Sequence, residues 1–204
     1  DKDVDQLIQH EAFVHVATSI NGHLQPYLKI LVEGHAGTTA TQEGLAVFAE
    51  FITGNIDLDR LRRLSDRVIA IQHAIDGADF IDVYRYFLEK TDHPEQSFQN
   101  AKRVFRGGVM AGGAPFTKDI VYLEGLADVH NFLRLAVAKG KFDYLDLLFV
   151  GKLNIADLPT LKKLTEMGIV AAPKFLPPWI TDKRFLLSYL SYSSFLTTFD
   201  SSLS

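Results

Sequence analysis

Two histidines and a glutamate near the start of the chain are the side chains best suited to metal chemistry. His10 and His15 lie five residues apart, and Glu11 directly follows the first histidine. Histidine is the commonest metal-binding side chain, and a glutamate beside such a ligand is the usual base of a zinc hydrolase. These residues are candidates for part of a metal site, with two ordinary histidines on a helix as the alternative interpretation.

The spacing of the histidines sets a condition on the helix that carries them. Apolar residues recur at helical spacing from position 4 to about position 20, and Asn21-Gly22 is expected to end that helix. On a regular α-helix, residues five apart lie roughly 140° from each other, whereas residues four apart lie within roughly 40°. One extra residue in the turn, a π-bulge, would return both histidines to one face, and such bulges occur mostly at functional sites. We therefore predict a distorted helix from Ala12 to Val14.

A catalytic zinc ion needs a third protein ligand, because it is usually bound by three side chains and a water molecule. Carboxylates are candidates by type, as are the remaining histidines, His23, His35, His73, His93 and His130. Glu43 stands out because it is expected to begin an apolar helix, Gln42 to about Thr53, where a charge is costly unless it is paired or bound to metal. The preceding loop, residues 34–41, is rich in threonine and could fold Glu43 back towards the first helix.

Several motifs in the chain resemble one protein family. Residues 42–46 read Gln-Glu-Gly-Leu-Ala, and His10-Glu11-x-x-x-His15 precedes them; residues 103–107, 112–114 and 117–122 add further similarity. Together these motifs resemble the bacterial flavohemoglobin expression-modulating QEGLA-motif proteins. The same family contains the eukaryotic microtubule-associated tyrosine carboxypeptidases, which remove the C-terminal tyrosine of α-tubulin. The resemblance spans most of the chain.

The resemblance implies a fold, a cofactor and four site residues. It implies a zincin-like, mainly α metallopeptidase domain with the His-Glu-x-x-x-His helix, a second helix bearing a glutamate, and little β structure. It implies that zinc is bound by His10, His15 and Glu43, with Glu11 as the general base. The tubulin substrate does not carry over, because that activity belongs to the eukaryotic members and this chain has the motif of the bacterial label.

Further residues are candidates for contacts with a substrate. Arg106 could bind a terminal carboxylate in a bidentate pair, or it could simply satisfy carbonyl groups at a helix C-terminus. Lys118 or Tyr122 could donate to the developing oxyanion, and Thr117 is a candidate for substrate binding. His35 could hold a zinc ligand in place, or it could be only a loop residue.

Composition limits the class of protein. The chain has 204 residues, of which 47% are hydrophobic, a formal net charge of −4 and no cysteine. These values predict no nucleic-acid partner, no thiolate zinc site and no transmembrane span, and they fit a cytoplasmic protein. We expect one domain over residues 1–204, forming the C-terminal part of a longer protein whose N-terminal region contributes to the pocket.

The sequence as a whole predicts a zinc-dependent, carboxypeptidase-type metallopeptidase that acts on a peptide or protein C-terminal tail. The alternative is a non-catalytic regulatory or interaction protein in which the metal has a structural role. Two other patterns are assigned to ordinary helix faces: residues 123–127, Leu-Glu-Gly-Leu-Ala, which resemble the first motif, and four arginines expected to face solvent. These arginines are Arg60, Arg62, Arg63 and Arg67.

Overall fold

The computed structural model describes residues 2–200, with side chains for residues 4–195. All regular elements in this range are helical and none is a strand, which confirms the mainly α prediction. The α-helices are α1 Lys2–Leu7, α2 Ala17–His23, α3 Ala36–Ile52, α4 Leu58–Ile75, α5 Phe80–Thr91, α6 Pro94–Val104, α7 Ile120–Ala138, α8 Asp143–Leu147, α9 Leu158–Glu166, α10 Pro178–Thr181 and α11 Lys183–Asp200. A π-helix, Ile8–Val16, joins α1 to α2, and short 3₁₀ turns cover Lys29–Leu31 and Ile155–Asp157. Among the described helices, none combines the length and the apolar character that a membrane crossing requires.

The chain divides into two compact units. The first unit comprises the chain up to Ile56 and again from Glu124 onwards, and the second unit comprises Asp57–Leu123. Each unit has a hydrophobic core of its own. The expectation of one domain over the whole chain stays a prediction.

Helix α3 lies at the centre of the first unit. Its residues Leu45 to Ala49 are all fully buried, because this helix is apolar around most of its circumference. It packs against the π-helix and shares one core with residues of α7, α8, α9 and α11. Side chains on the buried face of α3 are therefore held rigidly against the helix that carries His10 and His15.

The start of α3 differs from the prediction. Residues 36–41 were expected in a loop, but they form the first turns of α3, and His35 caps that helix by accepting a hydrogen bond at Nδ1 from the backbone N–H of Gly37. Thr38 completes the cap by accepting from the backbone N–H of His35. Glu43 consequently lies two turns inside the helix and not at its start. The threonine-rich sequence concealed the helix because threonine also favours turns and caps.

The predicted end of the first helix is also wrong. Asn21 and Gly22 were expected to stop it, yet both are buried inside α2, which ends at His23. The Asn21 side chain donates to the carbonyl groups of Phe149 and Phe175, at 2.8 and 2.7 Å, and accepts from the backbone N–H groups of Lys174 and Phe175. Asparagine is typical of turns, but here its side chain forms hydrogen bonds with backbone groups that are distant in the sequence and lie outside regular helices. Such bonds are needed because buried backbone polar groups require partners.

The second unit is built on α4, α5 and α6. Its core contains Ile71, Phe87 and Val104, all almost fully buried. Helix α4 begins where the Asp57 side chain accepts a hydrogen bond from the backbone N–H of Arg60, as is usual at a helix N-terminus. The glycine-rich segment, residues 106–115, follows α6 and contains no helix or strand.

One of the arginines assigned to a solvated face lies in a different environment. Only 20% of the Arg67 side chain is exposed, and its Nη1 atom lies 3.8 Å from Oδ2 of the buried Asp119. Arg103 donates to both oxygens of the same carboxylate. Arg67 is therefore part of a buried ion-pair cluster, which its position among other arginines on an amphipathic helix did not reveal.

Candidate metal centre

The helix that carries the two histidines has the predicted π-type distortion, and the distorted stretch is longer than predicted. Residues Ile8–Val16 form nine residues of π-helix, compared with the short bulge expected at Ala12–Val14. A π-helix hydrogen bond joins residues five apart, so these residues lie one above the other along the helix. The rings of His10 and His15 are thereby brought together, with their centroids 5.0 Å apart.

The imidazoles of His10 and His15 meet the carboxylate of Glu43. The Oε2 atom of Glu43 lies 3.5 Å from Nε2 of His10 and 3.5 Å from Nε2 of His15. Among the described residues, these three are the one group of histidine and acidic side chains whose ligand atoms come close enough to share an ion, all within 4.8 Å of one another. The group could hold a metal ion. Sequence reasoning placed its three members together, and the fold brings them together.

The candidate base follows the buried His10 in the chain and faces solvent. Glu11 is exposed, whereas its neighbour His10 is buried at 8% exposure. Two residues further along, Phe13 is half-buried, and Val14 is fully buried in the core of the first unit. The π-helix therefore holds His10 in the interior and leaves Glu11 at the surface.

A second glutamate, which sequence reasoning missed, lies behind His10. The Nδ1 atom of His10 is 2.7 Å from Oε1 of Glu50, a side chain with no exposed surface. Burial lowers the pKa of His10, but hydrogen bonds to Glu43 and Glu50 and the charges of both carboxylates outweigh it and raise the pKa to about 9. The site thus favours a positive charge between its two carboxylates. The signal in the sequence was that Glu50 follows Glu43 by two helical turns and shares its face of α3.

His15 has a neutral partner. Its Nδ1 atom lies 3.4 Å from Oε1 of Gln42, the residue before Glu43. The Gln42 oxygen also accepts a 2.9 Å hydrogen bond from the buried Thr18 hydroxyl, in the first turn of α2. The first residue of the Gln-Glu-Gly-Leu-Ala motif therefore contacts one histidine, while the second residue faces both.

His35 does not contact this group in the structure. Its ring caps the N-terminus of α3, and Glu43 lies about 12 Å further along the helix axis at the ordinary rise per residue. The structure therefore supports its alternative interpretation, that of a residue acting in local backbone structure. The residues that contact Nδ1 of the two histidines are Glu50 and Gln42, and not His35.

The predicted substrate contacts belong to the second unit. Arg106 is exposed just after α6, Thr117 and Lys118 are exposed, and Tyr122 is half-buried in the first turn of α7. Arg106 lines a groove of about 800 Å³, and the other described residues that line it are basic, aromatic, polar or, in one case, methionine, with no acidic side chain among them. These are Arg67, Phe80, Phe98, Gln99, Asn100, Lys102, Arg103, Phe105 and Met110. The predicted roles of these four residues stay proposals.

Residues 123–127, which resemble the Gln-Glu-Gly-Leu-Ala motif, contribute a helix contact to the first unit. Gly125, within Leu-Glu-Gly-Leu-Ala of α7, lies against Gly44, within Gln-Glu-Gly-Leu-Ala of α3. Each glycine allows the backbone of the other helix to approach more closely than a side chain would permit. The helix that carries Glu43 therefore packs against α7 through the residue that follows Glu43.

A comparison with known families agrees with these features. A family model described as microtubule-associated tyrosine carboxypeptidase matches residues 1–198. The chain belongs to this family. The match includes both histidines, the Gln-Glu-Gly-Leu-Ala motif and the whole of the second unit, and it confirms the resemblance seen in the sequence motifs. Among curated proteins, none matches the chain.

The donor set of this family member fits zinc in type, and the two separations that involve Glu43 also fit in length. Two histidine nitrogens and one carboxylate oxygen form one of the ligand sets of catalytic zinc sites. With bonds of about 2.0–2.1 Å, two ligand atoms at neighbouring corners of a tetrahedron lie about 3.4 Å apart. The two separations of 3.5 Å between Glu43 and the histidines are close to that value.

Proposed function

We propose that the protein is a zinc-dependent metallopeptidase of the carboxypeptidase type, with a peptide or protein C-terminal tail as its substrate. The observation that carries the proposal is the grouping of His10, His15 and Glu43, with the exposed Glu11 next to His10 in the chain. Membership of a family described as tyrosine carboxypeptidases supports the reaction class. A set of three side chains is what an open catalytic site uses, whereas a structural zinc site is closed by four.

In this proposal, His10, His15 and Glu43 hold zinc. Zinc bound there would supply a water nucleophile of lowered pKa, towards about 7, and would favour negative charge on the carbonyl oxygen under attack. Glu11 accepts a proton from the water as the oxygen of that water bonds to the carbonyl carbon. The C–N bond then breaks, and Glu11 delivers the proton to the departing amine. Water and one peptide bond become a carboxyl group and an amine, with Glu11 returned to its starting state.

We further propose roles for four residues of the second unit. Arg106 would pair with the terminal carboxylate, since a guanidinium matches a carboxylate in two parallel hydrogen bonds. Thr117 is proposed to contact the substrate, and Lys118 or Tyr122 is proposed as the oxyanion donor. Supporting the role of Arg106, the groove that it lines is also lined by Arg67, Lys102 and Arg103, and by no acidic side chain among the described residues.

The decisive experiment compares zinc-loaded wild-type protein with Glu11→Gln on a library of peptides with varied C-terminal residues. Released amino acids are measured by mass spectrometry, and zinc per chain is measured by elemental analysis. We expect the wild type to release C-terminal residues and Glu11→Gln to lose at least about 100-fold in turnover while keeping its zinc. The matched control is Glu33→Gln, which removes an exposed carboxylate of the same unit and should leave turnover unchanged.

Two results would contradict the proposal. Undiminished turnover by Glu11→Gln would remove Glu11 as the base. A wild-type protein that binds one zinc ion but releases no residue from any peptide would favour the regulatory, metal-binding alternative.

A further inference from the structure

The imidazole of His10 lies between two carboxylates of the same helix. Its Nε2 atom faces Glu43, and its Nδ1 atom lies 2.7 Å from Oε1 of Glu50. Both carboxylates can only accept, but the contact at Nδ1 is 2.7 Å and that at Nε2 is 3.5 Å, so Nδ1 is where a neutral His10 keeps its proton. The lone pair is then on Nε2, which is the atom that faces Glu43 and the centre of the ligand group.

The contact between Glu50 and His10 has the features of a strong interaction. Its length is typical of a hydrogen bond assisted by charge, and the Glu50 side chain has no exposed surface. An ionised carboxylate is costly to bury unless it is paired and hydrogen-bonded. A fully buried glutamate in an apolar helix therefore needs a reason to be there, and the orientation of a metal ligand provides one.

The two histidines differ in the partner that contacts Nδ1. Nδ1 of His15 meets the neutral amide oxygen of Gln42 at 3.4 Å, a longer contact without charge. That amide oxygen is shared with the Thr18 hydroxyl at 2.9 Å, and the Nε2 atom of Gln42 is buried without a partner. His15 is also more exposed, with 24% of its side chain accessible compared with 10% for His10.

We propose that Glu50 is a positioning residue of the metal site: it holds His10 in the form that binds metal through Nε2 and strengthens that bond. Gln42 supports His15 in the same way but more weakly. The inference rests on the proposed use of His10, His15 and Glu43 as zinc ligands. It makes the site asymmetric, with His10 as the firmly held histidine and His15 as the one more easily displaced.

The first test measures zinc affinity in competition with a chromophoric chelator. We expect Glu50→Gln to bind zinc about 10- to 100-fold more weakly, since loss of an outer partner of a metal-bound histidine has effects of that size. Gln42→Ala should have a smaller effect, and the exposed Glu33→Gln should have none. The cobalt-substituted protein should show a changed visible spectrum in Glu50→Gln, because the ligand field of His10 changes.

Folding of each variant is followed by circular dichroism, because a buried substitution can act on the fold alone. If Glu50→Gln does not fold, the wild type still permits a test by ¹⁵N NMR of its zinc-loaded histidine side chains. We expect His10 to carry a proton on Nδ1 and to bind zinc through Nε2. Zinc binding through Nδ1, or an unprotonated Nδ1, would overturn the proposal.

The affinity test also separates this inference from the proposed function. A folded Glu50→Gln protein with wild-type zinc affinity would show that Glu50 only fills space, whatever the catalytic activity of the protein. A wild type that binds zinc without hydrolysing peptides, and whose affinity falls in Glu50→Gln, would contradict the peptidase proposal and leave Glu50 as a positioning residue.

Discussion

Gly44 of α3 and Gly125 of α7 meet at a point where no side chain fits. A Cβ atom added at Gly44 would lie 2.1 Å from the carbonyl carbon and oxygen of Gly125, and one added at Gly125 would lie 2.0 Å from the carbonyl oxygen of Ala40. The glycine of the Gln-Glu-Gly-Leu-Ala motif is therefore required by the packing of α3 on α7. Because Glu43 immediately precedes it, this contact also sets where one candidate metal ligand stands.

Alanine at either glycine should destabilise the first unit. Gly44→Ala or Gly125→Ala must separate the two helices, and overpacking of this kind typically costs about 1–3 kcal/mol. Denaturant unfolding should show a free energy of unfolding lower by that amount, together with weaker zinc binding because Glu43 shifts with its helix. The matched control is Gly34→Ala, whose Cβ would make an ordinary 3.6 Å contact with the Lys152 side chain. Unchanged stability in Gly44→Ala would contradict the close packing.

Removal of zinc should lower the stability of the wild type. A ligand that binds only the folded state stabilises it by about 2.7 kcal/mol at 100 times its dissociation constant. Differential scanning calorimetry with and without a chelator should therefore show a clear fall in the melting temperature. His15→Ala lacks one candidate ligand and should respond far less to the chelator. If the chelator leaves the melting temperature of zinc-loaded wild type unchanged, the folded protein does not bind the ion at this site.

The π-helix leads to a prediction about deletions and insertions between the two histidines. Deleting Ala12 leaves the two histidines four residues apart, which a regular α-helix places within roughly 40° of each other. We expect this variant to form an ordinary helix and to retain zinc. Inserting an alanine after Ala12 places them six residues apart, which aligns them in neither helix type, and zinc binding should be lost. Zinc per chain measures the result, and full zinc binding by the insertion variant would contradict the role of the π-helix.

Two arginine–aspartate pairs, a buried one in the second unit and an exposed one in the first, allow a test of how burial affects the contribution of such a pair to stability. Asp119 is buried and accepts from Arg103, with Arg67 nearby, whereas Asp182 and Arg184 form a similar pair at the surface. Asp119→Asn should reduce the free energy of unfolding by about 1.5–3 kcal/mol, because hydrogen bonds to charged groups contribute on that scale. Asp182→Asn should have no measurable effect, since exposed ion pairs contribute little. Equal effects in chemical denaturation would show that burial of Asp119 is unimportant.

The sequence alone was sufficient for features that depend on residues close together in the chain. Most helices could be predicted from apolar periodicity, and the five-residue spacing of His10 and His15 predicted a π-type distortion, because both effects follow from the geometry of one helix. The choice of Glu43 as the third candidate ligand also came from the sequence, through its motif. These predictions share a physical basis in short-range geometry and in the chemistry of particular side chains.

Only the tertiary structure identified the residues that support the site. Glu50 lies 40 positions from His10 and Gln42 lies 27 positions from His15, so each contact exists only because α3 packs against the π-helix. The same packing required Gly44 and Gly125 to meet, and it stabilised the start of α3 in a segment whose threonines favoured a loop. Tertiary packing can override local preference because burying a whole helix face contributes more free energy than the propensity of a few residues. The sequence therefore determined which side chains could bind a metal ion, and the fold determined which side chains contact them from behind.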